Sequence, residues 1–188
     1  MVWGVLGTGG MLVGPVGCAG SQPAAHRVGV AGEDRAGARS LGEPGPEHAL
    51  LARLVGDWAV EMDFEGREPV RGTATNAWTL DGRFLETGLH IPDYHGRELR
   101  GRGISGYDRV RGAFVNVWMN SLSTQITVRT GMAEGDAIVY EGTSYRRDGT
   151  HTSRVVMRVE GEDRYTETVF DRGEDGSWAR RGRVTFTR

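Results

Sequence analysis

From Trp58 to the C-terminus, apolar and polar residues alternate in short runs that turn residues interrupt about every ten positions. The alternation predicts ten strands, from Trp58–Glu65 at the start to Ser177–Arg188 at the end, joined by short loops. Asp81-Gly82, Asp148-Gly149 and Asp175-Gly176 mark three of the turns, because Asp and Gly accept positive φ at low steric cost. A single helical pattern precedes the strands. Leu50, Leu51, Leu54 and Val55 fall at helical spacing within Glu47–Val55, after Pro44-Gly45-Pro46 and before Gly56. This order predicts an all-β domain: one antiparallel up-and-down β-barrel behind a short N-terminal helix. Closure of the sheet would leave no unpaired edge.

One strand departs from simple alternation. In Ala113–Thr124, Phe114, Asn116, Trp118 and Asn120 share one face, while Val115, Val117, Met119 and Ser121 share the other. Strand Arg71–Leu80 carries a similar face of Ala74, Asn76, Trp78 and Leu80. A dry core packs branched aliphatics to high density and leaves few amides. A buried amide without a partner costs about 1–3 kcal/mol. Large rings beside convergent amides suit a ligand cavity better than a dry core. Asn76, Trp78, Asn116, Trp118 and Asn120 are therefore the candidate ligand-binding residues. The plainer alternative is a core in which Asn116 and Asn120 bond each other, backbone or trapped water. If Val115, Val117 and Met119 face outward they need a cover, from the Glu47–Val55 helix or from a second copy in a homodimer.

The first 45 residues read differently. Met1–Gly17 is apolar and uncharged, and the stretch from Ser21 to Pro44 is the Ala, Gly, Pro and charge mixture of a flexible tether. Between them Val16-Gly17-Cys18-Ala19 resembles the lipidation site of a bacterial lipoprotein signal, which would make Cys18 the anchored N-terminus. No Lys or Arg precedes the apolar run, as a signal requires. Export or anchoring and a cytoplasmic protein with a misassigned start both stay open. The organisation predicted is residues 1–18 as a possible signal, 19–45 as linker and 46–188 as barrel. The Gly cluster GVLGTGGML fails as a dinucleotide motif, because Leu12 stands at the third glycine position.

Composition narrows the function classes. The net charge is −2, and all 23 basic residues are Arg, interspersed with acids on the strands, which points away from nucleic acid. One Cys excludes an internal disulfide. Beyond the first segment no apolar run is long enough to span a bilayer, and charges on both faces of most strands argue against a membrane barrel.

Chemistry-bearing clusters are sparse. His90, Asp93 and His95 in HIPDYH could ligate a metal but read better as loop residues, so no metal is expected. His151 makes heme conceivable, though a turn His is the more ordinary reading, and no cofactor is expected. Ser121, Ser123 and Thr124 lack a nucleophile elbow and fit strand-end bonding. Glu86 could act as a general acid or base if it faces an aromatic lumen, with His90 as a second weak catalytic candidate.

Gly56-Asp57-Trp58 resembles the Gly-x-Trp signature of lipocalins and their barrel relatives. The resemblance implies that Trp58 closes one barrel end beneath the helical turn and that an Arg of the last strand covers it. Val184, Phe186 and Arg188 share a face of that strand, so Arg188 is the matching residue. The segments GPEHALLARLVGDWAVEMDF, GTATNAWTLDGRFLET, GISGYDRVRGAFVNVWMNSLST and RVTFTR resemble the bacterial domain-of-unknown-function 1579 family, over about Gly45 to Arg188. That family often has an acidic residue where Asn120 stands. The resemblance implies a lipocalin-like calycin barrel with a pocket, and no reaction. Two functions follow as expectations: a barrel that binds a small, mainly apolar molecule with one or two polar groups, or a hydrolase- or isomerase-type enzyme using Glu86 or His90 in the same cavity.

Overall fold

The computed structural model describes residues 41–146 and 149–188. Helix α1 (His48–Ala52) leads into ten strands: β1 (Gly56–Phe64), β2 (Val70–Thr79), β3 (Phe84–Ile91), β4 (Leu99–Asp108), β5 (Ala113–Asn120), β6 (Thr127–Glu134), β7 (Ala137–Arg146), β8 (Gly149–Val159), β9 (Arg164–Arg172) and β10 (Trp178–Thr187). Each strand pairs antiparallel with the next, and β10 returns to β1, so the sheet is a closed barrel. The closing seam runs from Ala59 opposite Thr187 to Phe64 opposite Gly182. The predicted signal segment, Cys18 and most of the linker lie outside the described residues, as does part of the Asp148-Gly149 turn.

The helix is shorter than its apolar pattern. After Ala52 the chain continues in tighter turns, with Leu54 N bonded to Leu51 O at 3.0 Å and Val55 N to Ala52 O at 3.3 Å. It must then swing into β1, which it does at Gly56 with φ +130°. A side chain there would also collide with Arg188, whose Nη2 lies 3.1 Å from the position of an added Cβ. The Asp81-Gly82 turn is built on left-handed residues, with φ 57° and 80°. Strand β6 starts at Thr127, because the residues before it form a loop in which the Gln125 amide donates to Ser123 Oγ at 3.4 Å.

Helix α1 stoppers one end of the barrel. Leu51 and Leu54 are buried with Trp58, Val60 and Phe186 in the main apolar cluster. The Trp58 indole donates to Leu54 O at 2.8 Å, which ties the stopper to the first strand. Arg188 lies 4.0 Å from the Trp58 ring centre, and its guanidinium also donates to Val55 O. Because α1 sits at this end, it does not cover the outer face of β5. Val115 and Val117 instead border a surface groove with Leu41, Phe84 and Ile104.

Candidate functional site

Above the stopper the lumen holds a cavity of about 270 Å³. A liquid water occupies about 30 Å³, so the space suits a ligand of roughly nine or ten non-hydrogen atoms. Much of its wall is apolar: Leu85 and Leu89 from β3, Val155 and Met157 from β8, Val184 and Phe186 from β10.

Trp118 is laid flat on that wall by its neighbours. A Cβ on Gly101 would stand 2.3 Å from the indole Cη2, and one on Gly103 3.2 Å from Cε3. The two glycines of β4 form a shelf on which the ring rests. The same device recurs on the other side. A Cβ on Gly142 would approach the Arg129 Cγ to 2.8 Å, and one on Gly131 the Tyr140 Cδ1 to 2.9 Å.

A polar band crosses this wall. Ser105, Asn116 and Arg129 are direct cross-strand neighbours on β4, β5 and β6. Asn116 Nδ2 donates to Ser105 Oγ at 3.0 Å, and Arg129 Nη1 reaches Asn116 Oδ1 at 3.5 Å. Glu167 of β9 faces Arg129 across the lumen, and the described residues form no hydrogen bond or ion pair with its carboxylate. Burial pushes the Glu167 carboxyl above the ordinary value of 4.5, and the Arg129 charge offsets part of that rise. Burial lowers the Arg129 guanidinium below its usual value, with Glu167 opposing the shift. Tyr140 and Tyr165 are both pushed up, by burial first and then by opposing or reinforcing neighbours, among them Glu167.

Among the described residues, three polar atoms bordering the lumen are buried without a hydrogen-bond partner: Arg129 Nε, the Tyr140 hydroxyl and Asn76 Oδ1. The Tyr140 hydroxyl points toward Ser105 without closing a bond of good geometry. Buried polar groups are nearly always satisfied, so three orphans in one cavity are informative.

The expected ligand contacts separate into two groups. Asn76, Asn116 and Trp118 line the cavity. Asn76 Nδ2 donates to Leu54 O at 2.9 Å and to the Tyr165 hydroxyl at 3.0 Å, so part of this amide holds the barrel floor. Trp78 does not reach the cavity. It sits half-buried at the stoppered end, its ring 6.2 Å from that of His48. Asn120 does not reach it either. At the end of β5 its Oδ1 accepts the Leu122 amide at 2.9 Å and closes the turn.

The two weak catalytic candidates lie outside the barrel. On β3 it is Leu85, Thr87 and Leu89 that face inward. Glu86 points out and is ion-paired with Arg102, and His90 is exposed and bonds Glu98 Oε1 at 3.0 Å. An enzyme using either group in the cavity is ruled out by this parity. In the HIPDYH loop Asp93 accepts the Gly96 amide at 2.6 Å, and His95 carries a left-handed φ of 53°. No group of three His, Cys, Asp or Glu gathers among the described residues. His151 lies on β8 opposite Ser144, away from the cavity lining. Ser121 Oγ accepts the Arg100 amide at 3.0 Å, and Ser123 serves the loop before β6.

Sequence reasoning missed Arg129, Tyr140 and Glu167. In β6 the hydropathy points the wrong way: Val128 and Met132 are 51 % and 58 % exposed, whereas Arg129 faces the lumen. Gly131 and Gly142 were the available signal, since each clears space for a large neighbour on the inner wall.

The architecture defines a small lipocalin-like β-barrel with a polar band inside an apolar lumen. Residues 43–188 match the family described as "Protein of unknown function (DUF1579)", and the chain belongs to that family. No curated protein matches it by sequence. Among solved structures it is similar to Rv2717c from M. tuberculosis, with 17 % identity, TM-score 0.53, and 78 % of this chain and 99 % of that one covered. It is also similar to an S-type phycobiliprotein lyase, CPES, from Guillardia theta, with 11 % identity, TM-score 0.50, and coverage of 80 % and 96 %. Both likenesses are of fold. No helix among the described residues is long and apolar enough to cross a membrane.

Proposed function

We propose that the barrel binds a small, mainly apolar molecule in its lumen, with Trp118 supplying contact area and Asn116 and Asn76 orienting a polar group. The observation that carries this reading is the joint presence of a 270 Å³ cavity and three buried, unpartnered polar atoms bordering it. A core selected only for packing would fill such a space and pair such atoms. A ligand bearing one or two polar groups would satisfy the orphans while the aliphatic wall and the indole bury its body.

Tryptophan fluorescence titrated with small apolar probes tests the proposal. Wild type is expected to show saturable quenching or enhancement. Asn116→Ala is expected to weaken binding by about 0.5–1.5 kcal/mol, roughly two- to tenfold. Trp118→Phe is expected to weaken it more, because the shelf would hold a smaller ring. Equal affinities in all three proteins would make these residues plain core.

A further inference from the structure

The charge that persists in the lumen decides what polar group a ligand carries. Arg129 cannot shed its proton at any ordinary pH, whereas a buried carboxyl can lower its desolvation cost by taking one up. The two groups that oppose each other across the cavity are therefore not equivalent. Glu167 is the adjustable partner and Arg129 the permanent cation. The orphans agree with this. Arg129 Nε is a hydrogen-bond donor in need of an acceptor, the Tyr140 hydroxyl beside Ser105 can donate as well as accept, and both adjoin the band that runs through Ser105 and Asn116. The third orphan, Asn76 Oδ1, is on the floor beside Leu54 and Tyr165, outside this band.

We propose that the lumen selects a small apolar monocarboxylate, its head received by Arg129 Nε–H and the Tyr140 hydroxyl and its tail lying along Trp118 and the aliphatic wall. The inference deepens the ligand-binding reading above and rests on it. With the anion in place, Arg129 has a new counter-ion, and its charge no longer offsets the rise that burial imposes on the Glu167 carboxyl. Glu167 is then expected to bind a proton. The groups facing it are Arg129 from β6, Tyr140 from β7 and Tyr165 from its own strand, and neither phenol ionises near neutral pH. Carboxylate binding is thereby linked to proton uptake, so affinity falls as pH rises through the range in which Glu167 titrates.

Calorimetric titration of the full chain with octanoate, octanol and octylamine separates the possibilities. These probes share one tail, of a size the cavity admits, and differ in head group. Wild type is expected to bind octanoate at least tenfold more tightly than octanol and to discriminate against octylamine. Arg129→Met is expected to lose the octanoate preference and keep octanol binding within about threefold. Glu167→Gln, which leaves the cation in place and needs no repacking, is expected to tighten octanoate binding and flatten its pH dependence. Octanol or octylamine bound as tightly as octanoate by wild type would overturn the monocarboxylate assignment and leave the apolar-ligand reading standing. An octanoate preference and pH dependence unchanged in Glu167→Gln would overturn the proton linkage. Failure of all three probes to bind folded wild type would overturn both the assignment and the reading beneath it.

Discussion

Gly101 shows how a single missing atom shapes the cavity. The Trp118 ring occupies the space a Cβ would take, at 2.3 Å from Cη2 and 2.5 Å from Cζ2. Gly101→Ala is expected to destabilise the fold by about 1–3 kcal/mol and to displace the indole. Denaturant unfolding and the tryptophan emission maximum check this. Gly88→Ala is the control, since nothing nearer than Thr75 O at 4.0 Å meets its new methyl group. Glu167 supplies the pH-dependent counterpart. Its carboxyl is raised in the folded protein, so the folded state holds its proton more tightly than the unfolded chain does. The associated stability is full below the ordinary carboxylate value and is lost as pH rises through the folded value. Wild type is expected to lose stability relative to Glu167→Gln as pH climbs above about 4.5, read from denaturation midpoints across pH. A constant difference would mean that Glu167 titrates alike in both states.

At the scale of elements, the closing seam is the part on which the barrel depends. Strand β10 pairs with β1, and just beyond it Arg188 lies over the Trp58 indole while bonding Val55 O. The Arg188→Ala variant is expected to lose about 1–3 kcal/mol, from lost packing and lost cation–π contact. A double-mutant cycle with Trp58→Phe checks it, and absence of coupling would mean that the two side chains act separately. Ten strands and their meander order were legible in the sequence because turns and alternation are local signals, whereas the helix at the barrel end was implied by the lipocalin resemblance of Gly56-Asp57-Trp58. The inner faces of β4 and β5 were legible in part. Trp118 and Asn116 were found from one strand's own composition. Strand β6 was not, because its apolar residues face outward and its Arg inward, against the usual rule. Only the closed sheet reveals that inversion, by fixing Arg129 beside Asn116 and opposite Gly142. The face of Glu86 stayed open for the related reason that β3 is mixed on both faces, and only its pairing in the barrel decides which side is the lumen.

As a whole molecule, the barrel is a cup closed at one end. The sheet has no free edge, the helix closes one end, and the ligand space is what the wall residues leave unfilled. This predicts that ligand occupancy raises stability by mass action without refolding the sheet, so the far-ultraviolet circular dichroism is expected to stay all-β and unchanged on binding. It also predicts that filling the lumen from the wall excludes ligand and leaves the outer surface intact. Thr87 lines the cavity from β3, and Thr87→Trp places a ring in that space. The most direct measurement is native mass spectrometry of the full chain purified from its own host, as wild type and as Thr87→Trp. A small organic adduct of about ten non-hydrogen atoms is expected on wild type and absent from Thr87→Trp. A bare wild-type mass, or the same adduct on both proteins, would contradict the lumen as the binding site.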